Sequence, residues 1–233
     1  MSNRILVVGG TSGVGLATAR RLAAAGHAVH VASRDTAKLA DDSGLVTHQV
    51  DGNDAVGVAR LAAELAPLDA LIVTLSGAEG SGAFADLDLR SLRRAFEAKY
   101  WPTLTVLQTV LPHLADRASI TLVGAISAHA AMAGTAGLGS LNAAVEALVR
   151  PLAVELAPRR INAVSPGLVD TPWWNGMPEP DRMAWFTAAA KVLPVGHVST
   201  ADEIAEAVAL AATNTSMTGS ILHVDGGARF ARF

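Results

Sequence analysis

Cysteine is missing altogether from the 233 residues, which excludes disulfides, thiolate metal sites and cysteine nucleophiles and fits a reducing compartment. An excess of one charge is missing too. The 18 Lys and Arg against 21 Asp and Glu leave a formal charge of -3, too balanced for a nucleic-acid-binding or membrane-surface footprint. Hydrophobic residues make up 51% of the chain, yet no unbroken apolar run approaches the roughly 18 residues of a membrane span. The N-terminus lacks a basic region followed by an apolar core and a cleavage site, because Ile5 to Val8 runs straight into glycine. A soluble, cytoplasmic protein is expected, without a metal. Neither a linker nor an internal repeat emerges, so one α/β domain over residues 1–233, large enough to bury a sizeable core, is expected.

What is present is organised around the stretch from Arg4 to Arg21. A branched apolar run, Ile5-Leu6-Val7-Val8, meets Gly9-Gly10-Thr11-Ser12-Gly13-Val14-Gly15, and an alanine-rich amphipathic segment continues through Ala25. A short apolar run bounded by glycine reads as a buried strand, and the glycine-rich segment after it reads as a tight turn opening a helix. Glycines at 9, 13 and 15 allow the sharp turn, the approach of backbone to a pyrophosphate and close packing of helix on strand. Free N–H groups at the helix start would hold the phosphate. An ordinary glycine-rich strand-to-helix turn shares this pattern, but its place at the head of an alternating strand-helix chain favours a nucleotide.

Further strands are expected at Ala28–Ala32, Leu45–Val50, Leu68–Leu75, Ser119–Val123, Arg160–Val164 and Ser220–Val224. Helical segments lie between them at Ala55–Ala66, Asp88 to about Leu114, Leu138–Leu156 and Asp202–Ala212. Alternation of this kind predicts a doubly wound parallel sheet of about seven strands with helices on both faces. Ligands of such sheets sit at the carboxyl edge. There, Ser33-Arg34-Asp35 ends the second strand. Arg34 would accommodate the 2′-phosphate of NADP, unless it is simply a solvated strand end, and Asp35 is placed to cap a following helix. Asp51-Gly52-Asn53-Asp54 closes the third strand, where polar residues can cap the next helix and Asp51 can also touch an adenine. Ser76-Gly77 closes the fourth. Pro102 should kink or unwind its helix beside Lys99, and Pro151 should bend the Leu138–Leu156 helix. The segment Thr171–Leu193 reads as a substrate-covering lid whose Trp173, Trp174 and Trp185 either line a pocket or anchor the lid.

Four elements in this order resemble the short-chain dehydrogenase/reductase family across essentially the whole chain. They are the glycine turn at Gly9, Gly13 and Gly15, the run Asn162-Ala163-Val164-Ser165-Pro166-Gly167, then Val169-Asp170-Thr171-Pro172, and Thr218-Gly219 through Val224-Asp225-Gly226-Gly227. The resemblance implies a Rossmann-type fold, NAD(P) across the carboxyl edge, hydride transfer at a carbonyl or alcohol, and a homotetramer. It assigns Gly9, Thr11, Ser12, Gly13, Val14 and Gly15 to the phosphates and Ser76 and Gly77 to the adenosine ribose. Pro166, Gly167, Val169 and Thr171 fall to the nicotinamide, with Ser33, Arg34, Asp51 and Gly52 at the adenosine end. NADP is expected over NAD.

The family's chemistry needs a Tyr with a Lys four residues on, the Tyr moving the proton and the Lys lowering its pKa. Aligned through Ala143-Ala144-Val145-Glu146-Ala147-Leu148, those positions are Leu138 and Asn142. The single tyrosine, Tyr100, has Leu104 four residues on. The family's active-site Asn, which comes after a Phe-acid-small triplet, corresponds to Lys99 after Phe96-Glu97-Ala98. Asn and Lys have changed places. Both lie on otherwise apolar helical stripes and should point inward, and a buried lysine needs a partner or a lowered pKa; alternatively Lys99 snorkels outward. Ser127 is the best match to the family's substrate-holding Ser, with Ala125 competing for the position. His129 is either a proton shuttle or polar surface.

Two functions remain open on sequence. One is an NADP-dependent reductase of small apolar carbonyl compounds, or the corresponding alcohol dehydrogenase, using Ser127, Lys99, Asn142 and His129. The other is a catalytically inactive NADP-binding sensor, scaffold or partner subunit. Apolar faces on the Lys99 and Asn142 helices and the Phe230–Phe233 tail suit a homo-oligomer, a tetramer or dimer.

Overall fold

A computed structural model describes residues 2–39, 44–77 and 79–231. Seven strands form a wholly parallel sheet: β1 (Arg4–Val8), β2 (Ala28–Ser33), β3 (Val46–Gln49), β4 (Leu68–Val73), β5 (Leu114–Val123), β6 (Arg160–Pro166) and, last in the chain, β9 (Ile221–Val224). Their order is β3-β2-β1-β4-β5-β6-β9, so the winding reverses between β1 and β4. Two further short strands, β7 (Val169–Asp170) and β8 (Ser199–Thr200), pair with each other beyond the carboxyl edge. Sequence periodicity cannot show strands of two residues.

Among the described residues seven α-helices connect these strands: α1 (Gly13–Ala24), α2 (Ala55–Leu65), α3 (Leu89–Val110), α4 (Ala136–Ala147), α5 (Val149–Glu155), α6 (Glu179–Val192) and α7 (Ala201–Thr213). The alternation of β1 shows why they sit on both faces. Leu6 and Val8 join Val58, Leu61, Val106 and Val145 in one apolar layer, and Ile5 and Val7 join Leu22, Ile204 and Val208 in the other. Successive strand side chains point to opposite faces, so a strand covered by helices on both must be apolar at every position. Each such side chain, fully buried, contributes about 1.5–3 kcal/mol.

Several boundaries differ from the sequence expectation. The helix expected over Leu138–Leu156 is two, parted at Leu148, because Pro151 has no N–H to give the carbonyl of Ala147. In contrast, α3 runs unbroken through Pro102, and the expected unwinding beside Lys99 is not found. The Lys99 carbonyl there accepts the Thr103 hydroxyl at 2.6 Å. Asp35 caps no α-helix; its carboxylate accepts the Ala37 N–H at 3.1 Å ahead of a single 3-10 turn, Ala37–Leu39. Asp54 caps α2 through the Gly57 N–H, while Asp51 holds the Asn53 N–H. Residues 232–233 of the expected C-terminal tail lie outside the described residues, and Phe230 is exposed.

Candidate functional site

The carboxyl ends of β1 and β4, at the point of reversal, meet through Thr74, whose N–H and hydroxyl both donate to the Val8 carbonyl, at 2.9 and 3.1 Å. Gly9 has φ +90° and Gly13 φ +49°, conformations costly for any residue with a Cβ. Gly15 is needed for space instead. A Cβ there would lie 2.6 Å from the Gly9 carbonyl oxygen and 2.5 Å from Thr74 Oγ1. The loop is therefore folded tightly against the start of α1.

At that start, Leu16 is the first residue whose N–H reaches back, to Ser12 O, so the amides of Gly13, Val14 and Gly15 are the open donors of a helix end. The Ser12 side chain makes no capping bond, and no acidic residue stands in the first turn. Both α2 and α7, by comparison, are capped by Asp54 and Thr200. An uncapped end with a positive dipole fits an anionic phosphate. The residues present thus suit the diphosphate of a dinucleotide.

The other expected cofactor residues follow the carboxyl ends of the strands. Thr11 Oγ1 donates to Ser33 Oγ at 3.0 Å, joining the glycine turn to the end of β2, with Arg34 exposed next to it. Ser76 and Gly77 come after β4; Pro166 ends β6, Gly167 follows it, and a Cβ on Gly167 would lie 2.6 Å from the Asp225 carbonyl oxygen. Val169 is buried, and Thr171 stands over Gly13, 3.3 Å from where a Cβ would be. Asp51 is exposed, whereas Gly52 is buried against Leu75, Pro102 and Val106. Over the edge, Trp173 donates to the Gly77 carbonyl at 3.3 Å and Trp174 to the Val169 carbonyl at 3.0 Å. Trp174 also meets Phe186 of α6 edge-on, so it holds together the segment expected to be a lid. Trp185 is half-buried on α6.

Lys99 and Asn142 meet. Lys99 is only 7% exposed and Asn142 4%. The Lys99 ammonium donates to Asn142 Oδ1 at 2.6 Å and to the Gly124 carbonyl at 3.2 Å, so the lysine does not snorkel. Burial pushes its pKa down to about 8, with the Glu146 carboxylate pulling the other way. Asn142 Nδ2 donates to Ser127 Oγ at 3.1 Å and to the Leu138 carbonyl at 2.9 Å. Ser127 in turn lines a cleft of about 560 Å³ with Phe84, Ala130, Met132, Gly134 and Ser140. The expected catalytic residues Lys99, Asn142 and Ser127 thus form one polar chain from the core to a cleft. His129 turns elsewhere, its Nε2 2.5 Å from Glu146 Oε2 and its ring edge-on to His223 at 4.5 Å.

Sequence reasoning passed over Gly124 and Glu146. The latter had a readable signal, since it stands four residues after Asn142 and hence on the same helical face. Gly124 had none, because its role depends on what packs against it. No helix of the described residues is long and apolar enough to cross a membrane, and no cluster of metal-ligating side chains occurs among them.

Comparison with known proteins agrees with this geometry. A family model described as Enoyl-(Acyl carrier protein) reductase matches residues 8–229. Cis-4-hydroxycyclohexanecarboxylate dehydrogenase of Sinomonas cyclohexanicum is 34% identical over 95% of this chain and 94% of its own. The 3-oxoacyl-(acyl-carrier-protein) reductase MabA of Mycobacterium tuberculosis is 29% identical over 97% and 93%. A crystal structure of a small-chain dehydrogenase in complex with NADPH superposes with a TM-score of 0.88 at 35% identity, covering 99% of this chain and 100% of that one. With the parallel seven-stranded sheet, the glycine cradle at its reversal point and these matches over nearly the full length, the chain belongs to the short-chain dehydrogenase/reductase family of NAD(P)-dependent oxidoreductases.

Proposed function

We propose that the chain is an NADPH-dependent reductase of small uncharged carbonyl compounds that works without the Tyr and Lys pair typical of its family, Leu138 and Asn142 standing in those places. The observation that carries this reading is the unbroken polar chain Lys99–Asn142–Ser127 ending at the cleft. A protein that had given up chemistry would have no use for a buried ammonium there, because desolvation makes it costly.

Hydrogen-bond direction sets the roles. Ser127 Oγ accepts from Asn142, which leaves its own O–H to donate to a substrate carbonyl oxygen. As charge develops on that oxygen, the buried Lys99 ammonium, acting through the Asn142 amide, stabilises it. When bound, the cofactor supplies the hydride. The proton that completes the alcohol comes from water in the cleft, since an amide separates Lys99 from Ser127 and His129 is held on Glu146. Tyr100, packed edge-on between Phe96 and Trp101 on α3, does not line the cleft.

Arg34 beside the Thr11–Ser33 hydroxyl pair supports NADPH over NADH, as does the NADPH complex of the 35% identical structure. The cleft is lined by alanines, Gly134, Met132, Phe84 and hydroxyls without a cation, which supports an uncharged, largely apolar substrate. We read residues 1–233 as one domain and the molecule as a cytoplasmic homo-oligomer. NADPH titration by fluorescence, followed by NADPH absorbance against a panel of aldehydes and ketones, tests the reading. Binding with oxidation by at least one of them is expected, and binding with no oxidation by any would overturn it.

A further inference from the structure

Glu146 is a charged side chain beneath Ser127 for which the reduction itself has no role. Its carboxylate side chain is 3% exposed. Oε2 is paired with His129, but Oε1 is buried without a hydrogen-bond partner among the described residues. An ionised carboxylate left in this condition is costly unless an opposite charge stands near.

Gly124 shows where that charge is. Its carbonyl accepts from Lys99 at 3.2 Å, and a Cβ built on it would fall on Glu146 Oε1. One residue thus supplies an acceptor to the lysine and, by having no side chain, a seat for the carboxylate. Its φ is not among the positive ones, so glycine is required here for room alone. The groups facing this carboxylate come from separate elements: Lys99 on α3, His129 after β5, and His223 on β9, with Asp225 and Arg229 behind His223. Lys99 has committed two of its three N–H donors, to Asn142 and Gly124.

We propose that Glu146 is a positioning residue of the site, its buried carboxylate seated against Gly124 to keep Lys99 in the ammonium form beneath Asn142 and Ser127. The inference rests on the role proposed for Lys99 in the reductase. Its consequence is quantitative: with its pKa near 8, Lys99 is mostly charged at neutral pH. Losing an opposite charge close by lowers such a value by about a unit or more, which would leave the lysine half neutral or more.

The chain has only three lysines, Lys38, Lys99 and Lys191, so 13C labelling at lysine Cε gives three NMR titrations, with Lys99 assigned by its loss in Lys99→Arg. Wild type should titrate Lys99 near pH 8, Glu146→Gln about a unit or more lower, and Glu146→Asp close to wild type. A Glu146→Gln protein whose Lys99 titrates with the wild type overturns the proposal. Should Glu146→Gln fail to fold, Gly124→Ala, which pushes the carboxylate from its seat, is read in the same way. The alkaline limb of kcat against pH should move with the Lys99 midpoint while KM stays constant. A moved midpoint with an unmoved limb would sink the role given to Lys99 in turnover and leave the charge pairing standing.

Discussion

Lys99 fixes which way Asn142 faces. An ammonium can only donate, so the amide atom 2.6 Å from Nζ must be the oxygen. The NH2 then has to face Ser127 and the Leu138 carbonyl, as it does. That forced orientation makes Ser127 an acceptor from the protein and hence a donor to the cleft. Lys99 on α3 and Asn142 on α4 therefore bring a cation, an amide and a serine hydroxyl into one chain.

Ser127→Ala removes the donor at the end of this chain, and kcat should fall by about 10²- to 10³-fold, the usual loss for one donor to a developing oxyanion. Lys99→Met should lose about tenfold or more in the same direction. NADPH affinity should be unchanged in both, because neither side chain belongs to the glycine cradle. Stopped-flow turnover alongside fluorescence titration checks this. Full activity in Lys99→Met would remove the ammonium from the mechanism.

The cradle makes a separate prediction. In Gly15→Ala the new methyl meets the Gly9 carbonyl and Thr74, neither of which can yield without opening the turn. Overpacking of this kind costs about 1–3 kcal/mol. Thermal unfolding should shift down and NADPH binding should weaken at least in proportion. A variant that binds and melts like wild type would mean that the turn is looser than these distances indicate.

Arg34→Ala should discriminate between cofactors. A lost charge-assisted contact to a 2′-phosphate is worth about 1.5–3 kcal/mol, or about 10- to 100-fold in the Kd for NADPH. NADH, which lacks that phosphate, should bind as before. Equal effects on both would place Arg34 outside the ribose site.

The fold was legible because β1 and β4 carry near-continuous apolar runs that only a sheet covered on two faces can use, and because glycine marks where the chain turns back. The inward direction of Lys99 and Asn142 was legible for a related reason, Lys99 sharing its stripe with Phe96 and Val106 and Asn142 with Leu138, Val145 and Val149. Their contact was not, since stripe phase says which face a residue occupies and nothing about what the neighbouring helix brings to it. Gly124 illustrates the limit, for a glycine in sequence cannot say that a carboxylate from α4 occupies its missing side chain. Local proline effects also split: Pro151 ends a helix while Pro102 does not, because α3 is held on both sides of Pro102 by the buried residues Ala95, Lys99, Val106 and Val110.

The assignment of Leu138 and Asn142 to the family's Tyr and Lys places can be tested by putting the pair back. In the triple variant Leu138→Tyr, Asn142→Lys and Lys99→Asn, a phenol would stand next to the cleft-lining Gly139 at the start of α4, with a lysine one turn on. A positioned general acid contributes about 10²- to 10⁴-fold, so turnover should rise well above wild type. An unchanged rate in a folded variant that still binds NADPH would mean that these positions do not face the reacting carbonyl.

Lys99 also leaves a mark on stability that does not depend on any substrate. Its pKa is lowered from 10.5 to about 8 in the folded chain. Between these values the unfolded chain binds a proton that the folded chain does not, so stability rises with pH across that window and is flat below it. Put the other way, the contribution is present above about pH 10.5, declines as pH falls toward 8 and is gone below. A shift of this size is worth of order 3 kcal/mol for a fully buried group. Lys99→Met has no such group, and its constant packing difference cancels when the pH dependence alone is compared. Urea unfolding of both proteins at intervals from about pH 7 to about pH 10.5 should therefore show the wild type gaining on the variant only above about pH 8. Parallel curves would show that Lys99 titrates as an exposed lysine does, and the buried ammonium at the foot of the polar chain would have to be given up.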